Sequence, residues 1–151
     1  MTRQSGHAPD AAPSQARHRP FPAVVLIATS SPCNLKCPSC PCTWLPDIRR
    51  NPGLDDRLSP YFSLENYRRV ADQCLAHRDG GLVPRIRLSG YGEPLLNKRL
   101  GEMVSYSCGI GVPTSLISNG TLLMGEVADV LAGAGLESIE LSVDAHQPDL
   151  Y

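Results

Sequence analysis

Long apolar runs are missing from this chain. The longest, Ala23 to Ala28, has six residues, whereas a membrane-spanning helix needs about 20. No membrane partner is expected. Charge of one sign is not in excess either: fourteen Lys and Arg stand against fifteen Asp and Glu, a formal net charge of −1. Nothing basic is left over to grip a phosphate backbone, so no nucleic-acid partner is expected. The first twenty residues, MTRQSGHAPDAAPSQARHRP, lack the apolar h-region of a secretory signal. A disulfide framework would come with export. The six cysteines therefore read as thiols in a reducing, cytoplasmic compartment.

What is present is enough for a core. Hydrophobic residues make up 42% of the 151 residues and charged ones 19%, ordinary values for one globular domain. Fourteen prolines and thirteen glycines predict a chain broken by many turns. Residues 1–20, rich in Ala, Pro, Ser, Gln and Arg, read as a disordered tail, and 21–151 as the folded part.

The periodicity of that part alternates. Ala23 to Ala28 is a continuous, β-branched run, expected of a strand buried on both faces. Residues 41–62 form a long proline-rich connection. Ser63 is a candidate N-cap for a helix through His77, with Leu64, Tyr67, Val70, Ala71, Cys74 and Leu75 as its apolar stripe. Arg85–Leu88 reads as a strand, Asn97–Cys108 as a helix, Thr114–Ser118 as a strand, Leu122–Ala132 as a helix and Ser138–Val143 as a fourth strand. Such β-α alternation predicts parallel strands with helical crossovers, and ligand sites collect at the strands' C-terminal ends. The unusual residues all fall there.

Cys33, Cys37 and Cys40 have the spacing C-x3-C-x2-C. Three thiolates on one loop suit an iron–sulfur cluster with one iron left open, or zinc, better than a hard cation. A closed four-thiolate zinc site using Cys42 is the alternative. Cys74 and Cys108 lie on apolar helix stripes and read as core. Gly90-Tyr91-Gly92-Glu93-Pro94 directly follows a strand, where glycines let the backbone approach a ligand and offer carbonyls to an ammonium group; an ordinary turn has the same composition. Asn119-Gly120 is a turn signal. Ser142 and Asp144 alternate with Val143 and share one face of the sheet.

Taken in order, SSPCNLKCPSCP, LSGYGEPLLN, ISNGTLL and IELSVDAHQPDLY resemble the radical S-adenosylmethionine (radical SAM) superfamily over residues 22–151. They are most similar to members with a C-terminal SPASM-type extension, many of which modify peptides. The resemblance implies that Cys33, Cys37 and Cys40 ligate a [4Fe–4S] cluster whose fourth iron takes the methionine part of S-adenosylmethionine. It further implies that Gly90, Tyr91, Gly92 and Glu93 hold the methionine ammonium, that Ser142 and Asp144 meet the ribose, and that Asn119 shapes the pocket floor. One electron from a flavodoxin- or ferredoxin-type reductant would then cleave the cofactor to methionine and a 5′-deoxyadenosyl radical, which abstracts hydrogen from a substrate. Two positions depart from the family pattern. Ser39 stands where a large apolar residue often precedes the third cysteine, and Tyr91 replaces the first glycine of a Gly-Gly-Glu-Pro turn.

The family core is a partial barrel of six β/α units, and the pattern here supplies four strands and three helices by Tyr151. The expected fold is therefore an α/β partial barrel of parallel strands, truncated after about four units. The expected function is that of a radical SAM oxidoreductase or maturase, or its N-terminal fragment, with a second chain completing the barrel as a further partner. A non-catalytic four-cysteine zinc module and an inactive remnant are the other readings.

Overall fold

A computed structural model describes residues 21–44 and 59–143. The proposed tail, Asp144 and the side chains of Cys42 and Trp44 lie outside what it describes. Four parallel strands form one sheet in the order β1-β2-β3-β4: β1 (Val24–Ile27), β2 (Arg85–Leu88), β3 (Thr114–Ser118) and β4 (Ser138–Leu141). Between them run α1 (Pro41–Trp44), α2 (Leu64–Ala76), α3 (Leu100–Gly109) and α4 (Glu126–Gly133). Strand order follows chain order, and all three pairings are parallel, as the alternating pattern predicts. The four C-terminal ends thus share one rim. Among the described residues no helix is long and apolar enough to cross a membrane.

The core lies between the sheet and the helices. Ile86 and Leu88 of β2 and Leu116 of β3 are fully buried or nearly so, and they meet Tyr67, Ala71 and Cys74 of α2 and Met103 and Val104 of α3. Burying each large apolar side chain contributes about 1.5–3 kcal/mol. Tyr67 carries a polar atom into this layer, and Ser107 satisfies it at 2.6 Å, tying α2 to α3. The cap of α2 is as predicted: Ser63 Oγ accepts from the Asn66 N–H at 3.2 Å, an interaction worth about 1 kcal/mol.

Several expectations need correcting. β1 is not buried on both faces, since Val24 and Leu26 are 46% and 66% exposed. It is an edge strand covered on its helical face alone, and β-branched composition does not distinguish the two cases. The second crossover helix begins at Leu100 rather than Asn97. Pro94–Leu96 form a 3₁₀ turn first, and Asn97 closes it. The third begins at Glu126 rather than Leu122, after Gly125 at φ 50°. β4 ends at Leu141, although the Ser142 N–H still bonds to the Ser118 carbonyl at 2.9 Å. Cys74 is buried as expected, but Cys108 is exposed. The buried stripe of α3 passes through Leu100, Met103, Val104 and Ser107, and each further residue turns 100° around the axis, which carries Cys108 off that face.

Candidate functional site

Three loops meet at the rim. The first leaves β1 and carries the cysteines. The second, Ser89 to Pro94, leaves β2. The third leaves β3 at Ser118-Asn119-Gly120. Their junction begins with backbone contact. A Cβ on Gly92 would lie 2.0 Å from the Ser30 carbonyl oxygen and 2.8 Å from that of Pro32, and one on Gly90 would lie 2.6 Å from the Ala28 Cβ. Only glycine allows the second loop to lie this close to the first. The Glu93 N–H then donates to the Pro32 carbonyl at 2.9 Å, one residue before Cys33. Ser30 Oγ donates to that same carbonyl at 3.0 Å.

Glu93 is the knot of the junction. Its side chain is 2% exposed. Oε1 accepts from the Leu95 N–H at 3.0 Å and the Ser118 hydroxyl at 2.8 Å. Oε2 accepts from the Asn119 N–H at 2.9 Å. A buried carboxylate is tolerated only with such partners, and charge-assisted bonds of this kind are about twice as strong as neutral ones. In this structure the carboxylate fastens the second loop to the third.

Asn97, read from the sequence only as a helix start, is a second clamp. It is 4% exposed, and its amide donates to the carbonyls of Thr29 at 2.8 Å and Phe62 at 3.1 Å. It fixes the end of β1 against the chain entering α2. A polar side chain four residues beyond Glu93, among leucines, was the available signal. Ser118, Asn34 and Thr121 are the other junction residues that sequence reasoning missed. Short polar side chains in turns are too common to stand out.

Cys33, Cys37 and Cys40 form no disulfide, and all three are half-buried. The Leu35 N–H points at Cys33 Sγ from 3.5 Å and the Asn119 side-chain amide from 3.8 Å. The loop is itself wound: the Cys40 N–H donates to the Cys37 carbonyl at 3.0 Å, and Thr43 Oγ1 donates to the same carbonyl at 2.9 Å, which seats α1 against the cysteines. Among the described residues no three His, Cys, Asp or Glu side chains are drawn together tightly enough to hold a lone metal ion. The donor chemistry, three soft thiols on one loop with N–H groups directed at the first sulfur, fits an iron–sulfur cluster and not a hard cation. Tyr91 is 59% exposed and Ser142 is exposed at the end of the fourth strand.

A cleft of about 640 Å³ is on the helical side, lined by Arg68, Gly101, Tyr106 and Val130 among others. One of about 420 Å³ lies on the opposite side of the sheet, lined by Val24, Arg85, Arg87, Ser115 and Glu140 among others. There Arg85 is ion-paired with Glu137 and Arg87 with Glu140.

Comparison with known proteins agrees with the fold. The family model described as the Radical SAM superfamily matches residues 27–151. A PqqA peptide cyclase of Rhodopseudomonas palustris is 32% identical over 122 residues, which is 81% of this chain and 29% of that protein. One of Xanthomonas axonopodis pv. citri is 31% identical over 129 residues, covering 85% and 31%. A GTP 3′,8-cyclase of Synechococcus sp. is 34% identical over 139 residues, covering 85% and 35%. The chain thus spans about a third of the length of these relatives. Among solved structures, BtrN in complex with AdoMet and 2-DOIA superposes with a TM-score of 0.62 at 21% identity, over 80% of this chain and 45% of BtrN. BtrN in an open conformation gives 0.63 at 20% identity, over 80% and 50%.

Proposed function

The chain belongs to the Radical SAM superfamily, whose members use a [4Fe–4S] cluster and S-adenosylmethionine, and from that premise we propose that it is the cofactor-binding portion of a radical SAM enzyme acting on a peptide. Cys33, Cys37 and Cys40 hold the cluster. The carbonyls of Gly90, Tyr91 and Gly92 take the methionine ammonium, with Glu93 bracing them. Ser142 and Asp144 serve the ribose, and Asn119 the floor between the loops. When bound, the cluster and S-adenosylmethionine supply reductive carbon–sulfur cleavage and a 5′-deoxyadenosyl radical for hydrogen abstraction, the electron coming from a flavodoxin- or ferredoxin-type donor. The chain's own work is to fix the three loops against one another and to keep the rim in register.

The observation that carries this reading is the junction itself. Gly92 lies against Ser30, the Glu93 N–H reaches the Pro32 carbonyl, and the Asn119 amide reaches Cys33. Residues from the ends of β2 and β3 thus converge on the cysteine loop that leaves β1, which a turn of ordinary purpose does not require.

The substrate class rests on two supports. Two of the three relatives described are PqqA peptide cyclases. On the sheet face opposite the helices, Arg85 and Arg87 are already paired with Glu137 and Glu140. That leaves a charge-balanced face better suited to a peptide than to a nucleotide triphosphate, which needs surplus guanidinium.

Anaerobic reconstitution with iron and sulfide tests the central claim. A brown protein with about four irons per chain and broad charge-transfer absorption is expected, with spectral perturbation on adding S-adenosylmethionine. Uptake of one zinc per chain and no cluster would replace this reading with the four-thiolate site.

A further inference from the structure

We infer that Asn119 is a positioning residue that donates a hydrogen bond to Cys33 and thereby raises the reduction potential of a cluster held by Cys33, Cys37 and Cys40. This rests on the cluster-binding reading above.

The orientation of the Asn119 amide is fixed by its neighbours. Its Oδ1 accepts from the Thr121 N–H at 3.0 Å and from the Thr121 hydroxyl at 2.6 Å. A backbone N–H can only donate, so the oxygen must face it and the nitrogen must face the other way. On that side Nδ2 meets Cys33 Sγ at 3.8 Å and Asn34 Oδ1 at 3.0 Å. The reversed amide would set its NH₂ against the Thr121 N–H and leave its oxygen facing Asn34 Oδ1.

The donor is also held in place. The Asn119 backbone N–H is bound by the buried Glu93 carboxylate at 2.9 Å. Asn34 Nδ2 donates to Thr121 Oγ1 at 2.7 Å, which closes a ring of Asn119, Asn34 and Thr121 across the two loops. The contact to Cys33 bridges 86 positions in sequence. It joins a local one, from the Leu35 N–H at 3.5 Å, so two N–H groups from separate segments converge on a single sulfur.

The consequence follows from charge. Reduction adds an electron to a thiolate-ligated cluster, so an N–H directed at a ligand sulfur stabilises the reduced form more than the oxidised one and raises the potential. A residue that only closed the loop would change stability and leave the potential where it was.

The full chain, reconstituted anaerobically with iron and sulfide, allows the two to be separated by redox titration followed by electron paramagnetic resonance. Asn119→Ala is expected to lower the reduced-to-oxidised ratio at a fixed solution potential by about tenfold, equivalent to about 59 mV for a one-electron couple, with iron content retained. Asn119→Leu keeps a side chain of similar size and adds no charge, but loses the N–H donor to Cys33. It is expected to shift the ratio in the same direction, and it decides the matter should the alanine variant fail to fold. Asn34→Ala opens the ring of side chains while leaving the Asn119 donor, and is expected to hold the ratio within about twofold. An unchanged ratio in both Asn119 variants overturns the inference, as does an equal shift from Asn34→Ala. Failure of the wild-type chain to take up a cluster instead overturns the cluster reading itself, and this inference falls with it.

Discussion

The Ser118 hydroxyl donates to Glu93 Oε1 at 2.8 Å across 25 positions of sequence, in a fully buried contact. With the Asn119 N–H on Oε2 at 2.9 Å, it makes Glu93 the fastener between the ends of β2 and β3. Glu93→Gln puts an NH₂ where one of these donors needs an acceptor. The expected cost is about 1–3 kcal/mol, read as a drop of several degrees in melting temperature. Ser118→Ala removes the other partner, and a double-mutant cycle should return a coupling of about 0.5–3 kcal/mol. A coupling near zero would mean that the two side chains do not depend on each other.

Gly92 should tolerate no side chain. Its would-be Cβ meets backbone atoms of Ser30 at 2.0 and 2.6 Å, and backbone cannot step aside as a flexible side chain can. Gly92→Ala is expected to cost about 3 kcal/mol or more and to reduce iron uptake, since the cysteine loop starts at the displaced segment. Gly90→Ala, which meets the Ala28 Cβ at 2.6 Å, should be milder. Thermal melts and iron assays on both variants check the order. Equal stability of Gly92→Ala and wild type would contradict the packing of the two loops.

Much of this was legible in the sequence, and the reasons differ by element. β2 and β3 were placed to the residue because a strand buried under helices has a short apolar signature closed by glycine on one side and proline on the other. The α2 stripe and its Ser63 cap were equally plain, since both are local. The helix starts at Leu100 and Glu126 were not. Pro94–Leu96 and the segment before Gly125 carry helix-like composition but are set in local turns, the first capped by Glu93 and the second ended by Gly125 at φ 50°. The three cysteines and the Gly90–Glu93 turn stood out by spacing. The connections Asn97–Thr29, Asn119–Cys33 and Glu93–Ser118 did not, because each joins residues distant in sequence through common side chains. The open face of β1 was hidden for a related reason: exposure of Val24 and Leu26 depends on what covers that face of the sheet, not on the strand's own residues.

The cysteines should separate into two sets. Replacing Cys33, Cys37 or Cys40 with Ala should each abolish cluster uptake, because three thiolates leave no spare ligand. Cys108 is exposed and should react readily with an alkylating reagent, and Cys108→Ser should keep full iron content. Cys74 is buried, and burial holds its thiol above the ordinary value. It should label only on unfolding, since the thiolate is the nucleophile. Loss of metal from Cys42→Ala equal to that from the other three would point to a closed four-thiolate site.

Alkaline pH should unfold the chain through Tyr67. Burial is the main cause that raises the Tyr67 hydroxyl above its ordinary value, with the bond to Ser107 partly opposing it. The folded state therefore keeps this proton where the unfolded state has lost it. The stability this contributes is fully present below the ordinary tyrosine value, about 10, and declines as pH rises from there through the folded-state value. Tyrosine absorbance at 295 nm should show one group that ionises only together with the loss of helical circular dichroism. Tyr67→Phe should remove that coupled step while leaving Ser107 without its partner, at a cost of about 1–3 kcal/mol at neutral pH. A step that persists in the Phe variant would assign it to another tyrosine.

β4 sets the last expectation. All four of its residues are exposed, including Ile139 at 37% and Leu141 at 52%. By register Leu141 pairs with Ser118 and Ile139 with Leu116, so both lie on the helical face of the sheet. Among the described residues no strand pairs with the outer edge of β4, and β1 is an edge at the opposite end of the sheet. Two parallel-sheet edges with apolar flanks invite pairing with another chain unless charge, a bulge or a cover prevents it. Glu140 is the one acidic residue within β4, and Arg87 already engages it. The 151-residue chain on its own is therefore expected to self-associate in a concentration-dependent way. Ile139→Lys should shift size-exclusion elution towards monomer, because it sets a charge on the exposed apolar flank. Pairing through this edge would be ruled out by a monodisperse wild-type monomer at high concentration with a cooperative melt above about 60 °C, near the top of the mesophile range.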